Sequence, residues 1–368
     1  MQKVIKGPKG SGGCRFVSFS EKSSKLFSGY ENGEFCVVDV ENGQIVASIG
    51  EETEELSPIY TIKPLSDDMV FVGDDDGVVK LYDVRSDSKK PAVHFKNTTF
   101  EEDGEEVVTT DDWVSEIMII DSGYKIVASR SDGTIKTYST RRGGREVCRS
   151  ESLGAELTGM SGQMKNGRKL VVSATDGAIN IFNWNEFGNI SDRFPLCRTG
   201  KLKTSTGKRA MPVSLDSMSK FNDSLIFVGC GDGKIRLVSI LPNAVLAVVG
   251  VHETGMPVEH LKLTPNGDYL ASCGHDNYVK FWPTDQYKNL SLQTNSCDMS
   301  SGIDSSDDET NRQPRLKKIK KSIRQKLSQS HSFFGDLDNN PMEETDEDDN
   351  SSESDDSDDS YSDSDSSE

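Results

Sequence analysis

Four side chains near residue 270, His252, Ser272, Asp276 and Trp282, form the grouping in this sequence most suggestive of covalent chemistry. Serine, histidine and an acid are the parts of a hydrolase relay, in which the ring accepts the hydroxyl proton and the acid orients the ring. Such a serine needs a strained elbow to expose it and donors for an oxyanion. Ser272 lies in YLASCG, with no GxSxG around it. The other reading is a structural polar network whose members satisfy one another. That structural reading is the one expected here, with no catalytic residues. His94, His260, His275 and His331 have no metal-ligand spacing, and the 7 cysteines form no CxxC pair. GPKGSGG (7–13) lacks the P-loop pattern. No enzyme, metal, cofactor or small-molecule substrate is expected.

The elements that carry these residues come from an internal repeat. Six short β-rich runs bracket a tight turn: SGYENGEFCVVDV, VGDDDGVVKLYDV, SRSDGTIKTYST, SATDGAINIFNW, VGCGDGKIRLVSI and SCGHDNYVKFWPT. The turn residues Gly33, Gly77, Gly133, Gly177, Gly233 and Asn277 are spaced 44, 56, 44, 56 and 44 apart. Asp-Gly or Asn-Gly between alternating apolar runs is a strong local hairpin signal. A further strand candidate precedes each hairpin, such as CRFVSF or WVSEIMII, and another follows, such as QIVASI, AVHFK or AVLAVVG. Four strands per unit at this period describe a blade of a β-propeller. The fold class expected is all-β, with six to seven four-stranded blades over residues 14–296. Two insertions of opposite charge interrupt the period. Segment 97–112 holds seven acids and no base, and 198–209 holds five bases and no acid. Both join the last strand of one blade to the first of the next, on the face of the hairpin turns. They read as two solvated loops or as a bipolar docking rim.

The net charge of −19 is unevenly spread. From Cys297 onward 21 acids face 8 bases, so 297–368 reads as a disordered charged tail that cannot bury enough apolar surface to fold alone. Within it, 312–326 (RQPRLKKIKKSIRQK) is uninterrupted positive charge, and Leu316, Ile319, Ile323 and Leu327 fall on one side of a potential helix. Arg315, Lys317, Lys318, Lys320, Lys321 and Arg324 are candidates for nuclear import or for contact with RNA phosphates. In HSFFGDL (331–337), Phe333, Phe334 and Leu337 form a candidate docking motif, for a partner or for the propeller itself. The end, 343–368, has 14 acids and 9 serines; Ser352, Ser360 and Ser362 each have an acid at +3, as acid-directed kinases favour. The absence of a long apolar run and of an apolar leader points to an intracellular soluble protein, without a membrane span.

The spacing of His252, Ser272, Asp276 and Trp282 resembles the structural tetrad of WD repeats. More specifically, INIFNWNEFGNISDRF (179–194), LPNAVLAVVG (241–250), ASCGHDNYVKFW (271–282) and SFFGDL (332–337) resemble the WD repeat-containing protein 55 family. That resemblance implies a non-enzymatic propeller of the nucleus and nucleolus, acting in rRNA production and large-subunit assembly. Its partners would be proteins of pre-ribosomal particles, with pre-rRNA reached through the basic segment. The family carries an additional blade upstream, giving seven, whereas this sequence begins near what would be the second. Three explanations stand open: a six-bladed ring, residues 1–6 of the N-terminal segment 1–13 completing the last blade as its outer strand, or a shortened gene model. Leu81-Tyr82-Asp83-Val84-Arg85 is in turn similar to the WDxR box that docks on a cullin-4 ubiquitin ligase adaptor, with Tyr82, Asp83 and Arg85 as the contact residues. Substrate receptor of that ligase is the alternative function.

Overall fold

The computed structural model describes residues 7–50, 56–86, 90–96, 98–100, 106–108, 112–196, 198–204, 207–253, 255–288 and 290. Its strands group into six sequential antiparallel sheets arranged as a β-propeller. Blade 1 is β1 (Cys14–Phe19), β2 (Lys25–Tyr30), β3 (Phe35–Asp39) and β4 (Ile45–Ile49). Blade 2 is β5 (Ile59–Pro64), β6 (Met69–Asp74), β7 (Val79–Asp83) and β8 (Val93–Phe95). A separate pair, β9 (Thr98–Phe100) and β10 (Glu106–Val108), precedes blade 3. Blade 3 is β11 (Val114–Ile120), β12 (Lys125–Arg130), β13 (Ile135–Ser139) and β14 (Arg145–Arg149). Blade 4 is β15 (Leu157–Gln163), β16 (Lys169–Ala174), β17 (Ala178–Asn183) and β18 (Glu186–Pro195). A second pair, β19 (Arg198–Thr204) and β20 (Gly207–Pro212), leads into blade 5: β21 (Leu215–Lys220), β22 (Leu225–Cys230), β23 (Lys234–Ser239) and β24 (Ala244–Val251). Blade 6 has β25 (His260–Leu263), β26 (Tyr269–Cys273) and β27 (Val279–Pro283).

The register of each central hairpin follows from its turn. Five of the six turn residues are glycines with φ between 74° and 81°, and Asn277 sits at φ 57°. That left-handed conformation is cheap for glycine and tolerable for asparagine. At Gly77 space matters as well, since a Cβ would run into the guanidinium of Arg130 and the carbonyl of Asp112. In blades 2 to 5 the second strand is sandwiched between neighbouring sheets, so LIFVGC in β22 is buried along its whole length. Five apolar clusters occupy the five successive junctions. Phe27, Val37, Ile59 and Val72 join blades 1 and 2, for example, and Phe227, Leu237, Leu261 and Leu270 join blades 5 and 6.

Two features depart from the simple repeat. Where the sequence reading expects four strands in every blade, the sixth shows three among the described residues. Pro283, the last residue of β27, lacks an N–H for a further ladder, and DQYK beyond it turns into the short helix α1 (Asp285–Lys288). Tyr287 and Leu290 then bury themselves in the junction between blades 5 and 6. The two charged insertions, read from sequence as loops, are each folded into a two-stranded hairpin. Of the N-terminal segment, residues 7–13 lie over the first turn, where Asn32 N–H donates to Ser11 O (3.2 Å) and Glu31 N–H to Gly13 O (3.1 Å). Residues 1–6, expected as one way of closing the last blade, lie outside the described residues, as does everything beyond 290.

Candidate functional site

The fold brings His252, Ser272, Asp276 and Trp282 together. His252 follows β24, Ser272 lies in β26, Asp276 in the turn and Trp282 in β27. His252 Nε2 is 2.8 Å from Ser272 Oγ and His252 Nδ1 is 2.7 Å from Asp276 Oδ2. The Trp282 indole Nε1–H donates to Ser272 Oγ at 2.8 Å. An indole only donates, so the serine spends its own proton on Nε2, and Nδ1–H faces the carboxylate. This is the proton arrangement of a hydrolase relay. Ser272, however, is 2% exposed and capped by the indole, which leaves no room for a substrate. Burial pushes the Asp276 carboxyl up, but hydrogen bonds from His252 and Lys280 outweigh it and hold the group below its ordinary range. The network is a strut. His252 N–H also donates to Gly233 O (2.8 Å), so the set ties the turns of blades 5 and 6 to the loop between them.

A second strut, missed in the sequence, joins blades 2 and 3. Arg130, fully buried at the end of β12, reaches Asp112 Oδ2 through Nε (2.5 Å), Gly77 O through Nη1 (2.7 Å) and Asp112 O through Nη2 (3.2 Å). The available signal was an arginine where the other repeats place Tyr30, Asp74, Ala174, Cys230 or Gly274.

A third constellation converges where the inner strands begin, on the face of the hairpin turns. Arg15 pairs with Asp75 (2.7 Å), and its guanidinium lies 5.4 Å from the centre of the Tyr60 ring. Tyr60 stacks on Trp113 at 5.8 Å with an interplanar angle of 24°. Across the mouth of the central channel stand Glu156, Asp216 and Glu259, the last 2.9 Å from His275 Nε2. Burial, reinforced by Glu259 and Glu156 against the help of a Ser214 hydrogen bond, pushes Asp216 up to about 6. Burial also raises Glu156 and Tyr60, the latter with added repulsion from Glu156. Arg15, Tyr60 and Asp216 lie in the first residues of inner strands, and Trp113, Glu156 and Glu259 immediately precede theirs. An aromatic shelf beside clustered carboxylates is suited to a partner's lysine or arginine side chain.

Tyr82, Asp83 and Arg85 lie at the end of β7. Tyr82 is buried against Phe35 at 5.0 Å and does not face solvent. Arg85 is well exposed and folds back on Asp83 as a bidentate pair (3.0 and 2.8 Å), which holds the Asp83 carboxyl near 2. The basic residues of 312–326, the Phe333–Phe334–Leu337 motif and Ser352, Ser360 and Ser362 lie outside the described residues. Among the described residues no group of three or more His, Cys, Asp or Glu is placed to hold a metal ion, and no helix is long and apolar enough to cross a membrane.

Comparison with known proteins now separates fold from lineage. Residues 11–199 match the family described as "Nucleolar protein 10-like, N-terminal domain", and 244–283 match a WD domain, G-beta repeat. The chain belongs to the nucleolar protein 10-like family of WD-repeat propellers. Its curated relatives include "WD repeat-containing protein 55" of Rattus norvegicus, 33% identical over 278 residues (75% of this chain, 64% of the relative). The protein of that name in Homo sapiens is 33% identical over 276 residues (75% and 63%). The homolog of Dictyostelium discoideum is 30% identical over 272 residues (73% and 57%). The resemblance drawn from FNWNEFG, LPN and the sixth hairpin is therefore shown across most of the propeller. The chain spans a little under two thirds of the length of these relatives. A chain in "Crystal Structure of Mitotic Checkpoint Complex" superposes with a TM-score of 0.56 at 15% identity, covering 73% of each chain, which shows the propeller fold alone.

Proposed function

We propose that the protein is a non-enzymatic scaffold of the nucleolus acting in ribosome biogenesis, in rRNA production or processing and large-subunit assembly. The observation that carries this reading is the family match over residues 11–199, to a family whose description is nucleolar. The channel mouth supports it physically. Ribosomal and pre-ribosomal proteins are rich in lysine and arginine, and the Tyr60–Trp113 shelf beside Glu156, Asp216 and Glu259 is built for such side chains. In this reading the basic segment 312–326 directs nuclear entry and contacts pre-rRNA, and Ser352, Ser360 and Ser362 are phosphorylated. The test is affinity purification of the full chain beside a Glu156→Lys/Asp216→Lys chain and one ending at residue 296. Large-subunit assembly factors and pre-rRNA should co-purify with the full chain. Proteins lost on charge reversal belong to the mouth, and RNA lost on truncation belongs to the tail. Substituting Lys317, Lys318, Lys320 and Lys321 should leave the protein cytoplasmic; an unchanged nuclear signal would remove that segment from the account.

The second reading, substrate receptor of a cullin-4 ligase, is favoured by Arg85, an exposed guanidinium fixed at a strand end by Asp83. Arg85→Ala should abolish capture of the ligase adaptor with the fold intact. Recovery of that adaptor as the main stoichiometric partner of the full chain would replace the ribosomal reading.

A further inference from the structure

The face opposite the hairpin turns is built from the loops that join the first strand of each blade to the second and the third to the fourth. It divides by charge. On blades 1, 2 and 6 bases are neutralised in pairs, such as Lys25 with Asp68 (2.7 Å), Arg85 with Asp83 (2.8 Å) and Lys288 with Asp285 (2.8 Å). On blades 3 and 4 they are left over. Arg141, Arg142 and Arg145 of blade 3 and Arg168 of blade 4 are all exposed, and among the described residues no carboxylate pairs with any of them. The acids nearby are already engaged. Asp121 holds Lys125 (3.0 Å), Glu146 holds Arg149 in a bidentate pair (2.9 and 2.8 Å), and the Asp223 carboxylate receives Asn166 N–H (2.8 Å). A planar stack stands among these arginines. The Arg141 guanidinium lies 3.4 Å from the centre of the Tyr124 ring, which is 48% exposed. The surrounding backbone is fixed. Thr140 N–H donates to Tyr124 O (3.1 Å) and its hydroxyl to Gly123 O (3.0 Å); in blade 4, Lys165 N–H donates to Asp223 O (2.8 Å) and Trp184 N–H to Arg168 O (2.8 Å). Of the nine non-glycine residues with positive φ among those described, Asp121, Ser122, Gln163, Lys165, Asn166 and Asn185 lie here, so left-handed strain concentrates on these two blades.

We propose that this face of blades 3 and 4 binds single-stranded RNA. Arg142, Arg145 and Arg168 take phosphates, and the outer face of the Arg141–Tyr124 stack receives an unpaired base. The chemistry fits at both points. A guanidinium offers a planar fork of donors to a phosphate and keeps its charge at any working pH. Unpaired bases stack on guanidinium planes and aromatic rings, and a positively charged surface with such a platform suits a single strand. An acidic peptide would satisfy the charges and leave the stack unused. The choice of RNA over DNA rests on the nucleolar reading above; the site itself does not, and it is separate from the basic segment 312–326. The mouth on the opposite face presents carboxylates, so the propeller holds a basic protein on one side and a polyanion on the other.

The test is fluorescence anisotropy of a labelled oligouridylate of about 12 nucleotides. The protein is the full chain carrying Lys317→Gln, Lys318→Gln, Lys320→Gln and Lys321→Gln, so that the tail does not mask the propeller. In that parent, Arg142→Gln/Arg168→Gln should weaken binding about tenfold at physiological salt and lower the slope of log affinity against log salt by about 1.4. Lys25→Gln/Lys288→Gln removes the same charge at paired sites and should change affinity by less than about twofold. Arg141→Lys keeps the charge but removes the plane, and should weaken binding about fivefold. Ultraviolet irradiation should cross-link uridine to Tyr124. The substituted arginines are exposed and unpaired, and an unchanged thermal midpoint verifies the fold. Absence of RNA binding in the parent overturns the proposal, as do equal losses at the paired and unpaired sites. Full affinity in Arg141→Lys also overturns it, and release of a synthetic 343–368 peptide by the arginine substitutions then names an acidic peptide as the occupant. Tighter binding of the oligodeoxyuridylate overturns the choice of RNA. Co-purification of pre-ribosomal proteins is read separately, so failure at this face leaves the ribosomal reading standing.

Discussion

Blades 3 and 6 solve one mechanical problem with different chemistry. In blade 6 a relay, Trp282 to Ser272 to His252 to Asp276, holds the turn to the loop before it. In blade 3 a single buried guanidinium, Arg130, does the same between Asp112 and the turn carbonyl of Gly77. The relay distributes its cost, because its carboxylate, Asp276, is shared between His252 and Lys280 and the remaining polar atoms find partners within the set. The arginine concentrates it, since one cation and one carboxylate leave water together and three hydrogen bonds must compensate. A network of four can lose a member and relax around the gap. The arginine strut fails as a unit.

The largest effect should therefore come from Arg130→Met. It keeps the stem and removes the guanidinium's hydrogen bonds to Asp112 and Gly77 O, at a cost of about 3–5 kcal/mol in chemical denaturation. Double replacement with Asp112→Leu should recover a large part of that loss; no recovery would mean that the pair is not the source. Gly77→Ala comes next, because it combines a positive φ with a Cβ driven into the guanidinium, for about 2–4 kcal/mol. Gly233→Ala is its control. There the nearest atom is His252 O at 3.0 Å, so conformational strain dominates and about 1–2 kcal/mol should be lost. Equal effects at the two glycines would erase the distinction between the struts. His252→Ala follows, leaving Ser272 and Asp276 short of one partner each, for about 2–3 kcal/mol, with unfolding beginning in blades 5 and 6 by hydrogen exchange.

The two struts also differ in how visible they are in the chain. The relay is legible because its four residues recur at fixed offsets within one repeat, and the hairpin period is legible because a φ near 80° writes glycine into the turn. Arg130 is not, since Gly77 lies 53 residues away in another blade and only the closed ring makes them neighbours. The channel mouth is hidden for the same reason. Arg15, Tyr60, Trp113, Glu156, Asp216 and Glu259 are spread along the chain and meet only at the axis. The charged insertions show the opposite failure. Their alternation, as in RTGKLKT, already favoured strands, but their charge directed attention to solvent and the hairpins were read as loops.

The smallest effect tests the comparison through a titration, at Asp74. This residue ends β6, where Arg130 ends β12, so blade 2 places an acid where blade 3 places a base. Burial pushes Asp74 up to about 6, although Lys80 Nζ at 3.5 Å and the Val78 N–H at 2.8 Å both favour its ionised form. The folded protein therefore holds a proton that the unfolded chain, with a carboxyl near ~3.9, has already released. Between those two values the folded state binds more protons, so this group's contribution to stability is greatest below about pH 4 and declines as pH rises to about 6, by roughly 3 kcal/mol. Paired carboxylates such as Asp83, held near 2, contribute in the opposite direction and at lower pH, so the two windows separate. Asp74→Asn keeps the shape and removes the titration. Its stability relative to the native chain should therefore grow steadily from pH 4 to pH 6 and be constant above about pH 7. A difference that stays flat across that range would mean Asp74 is already ionised in the folded blade, with Lys80 neutralising it as Asp112 neutralises Arg130.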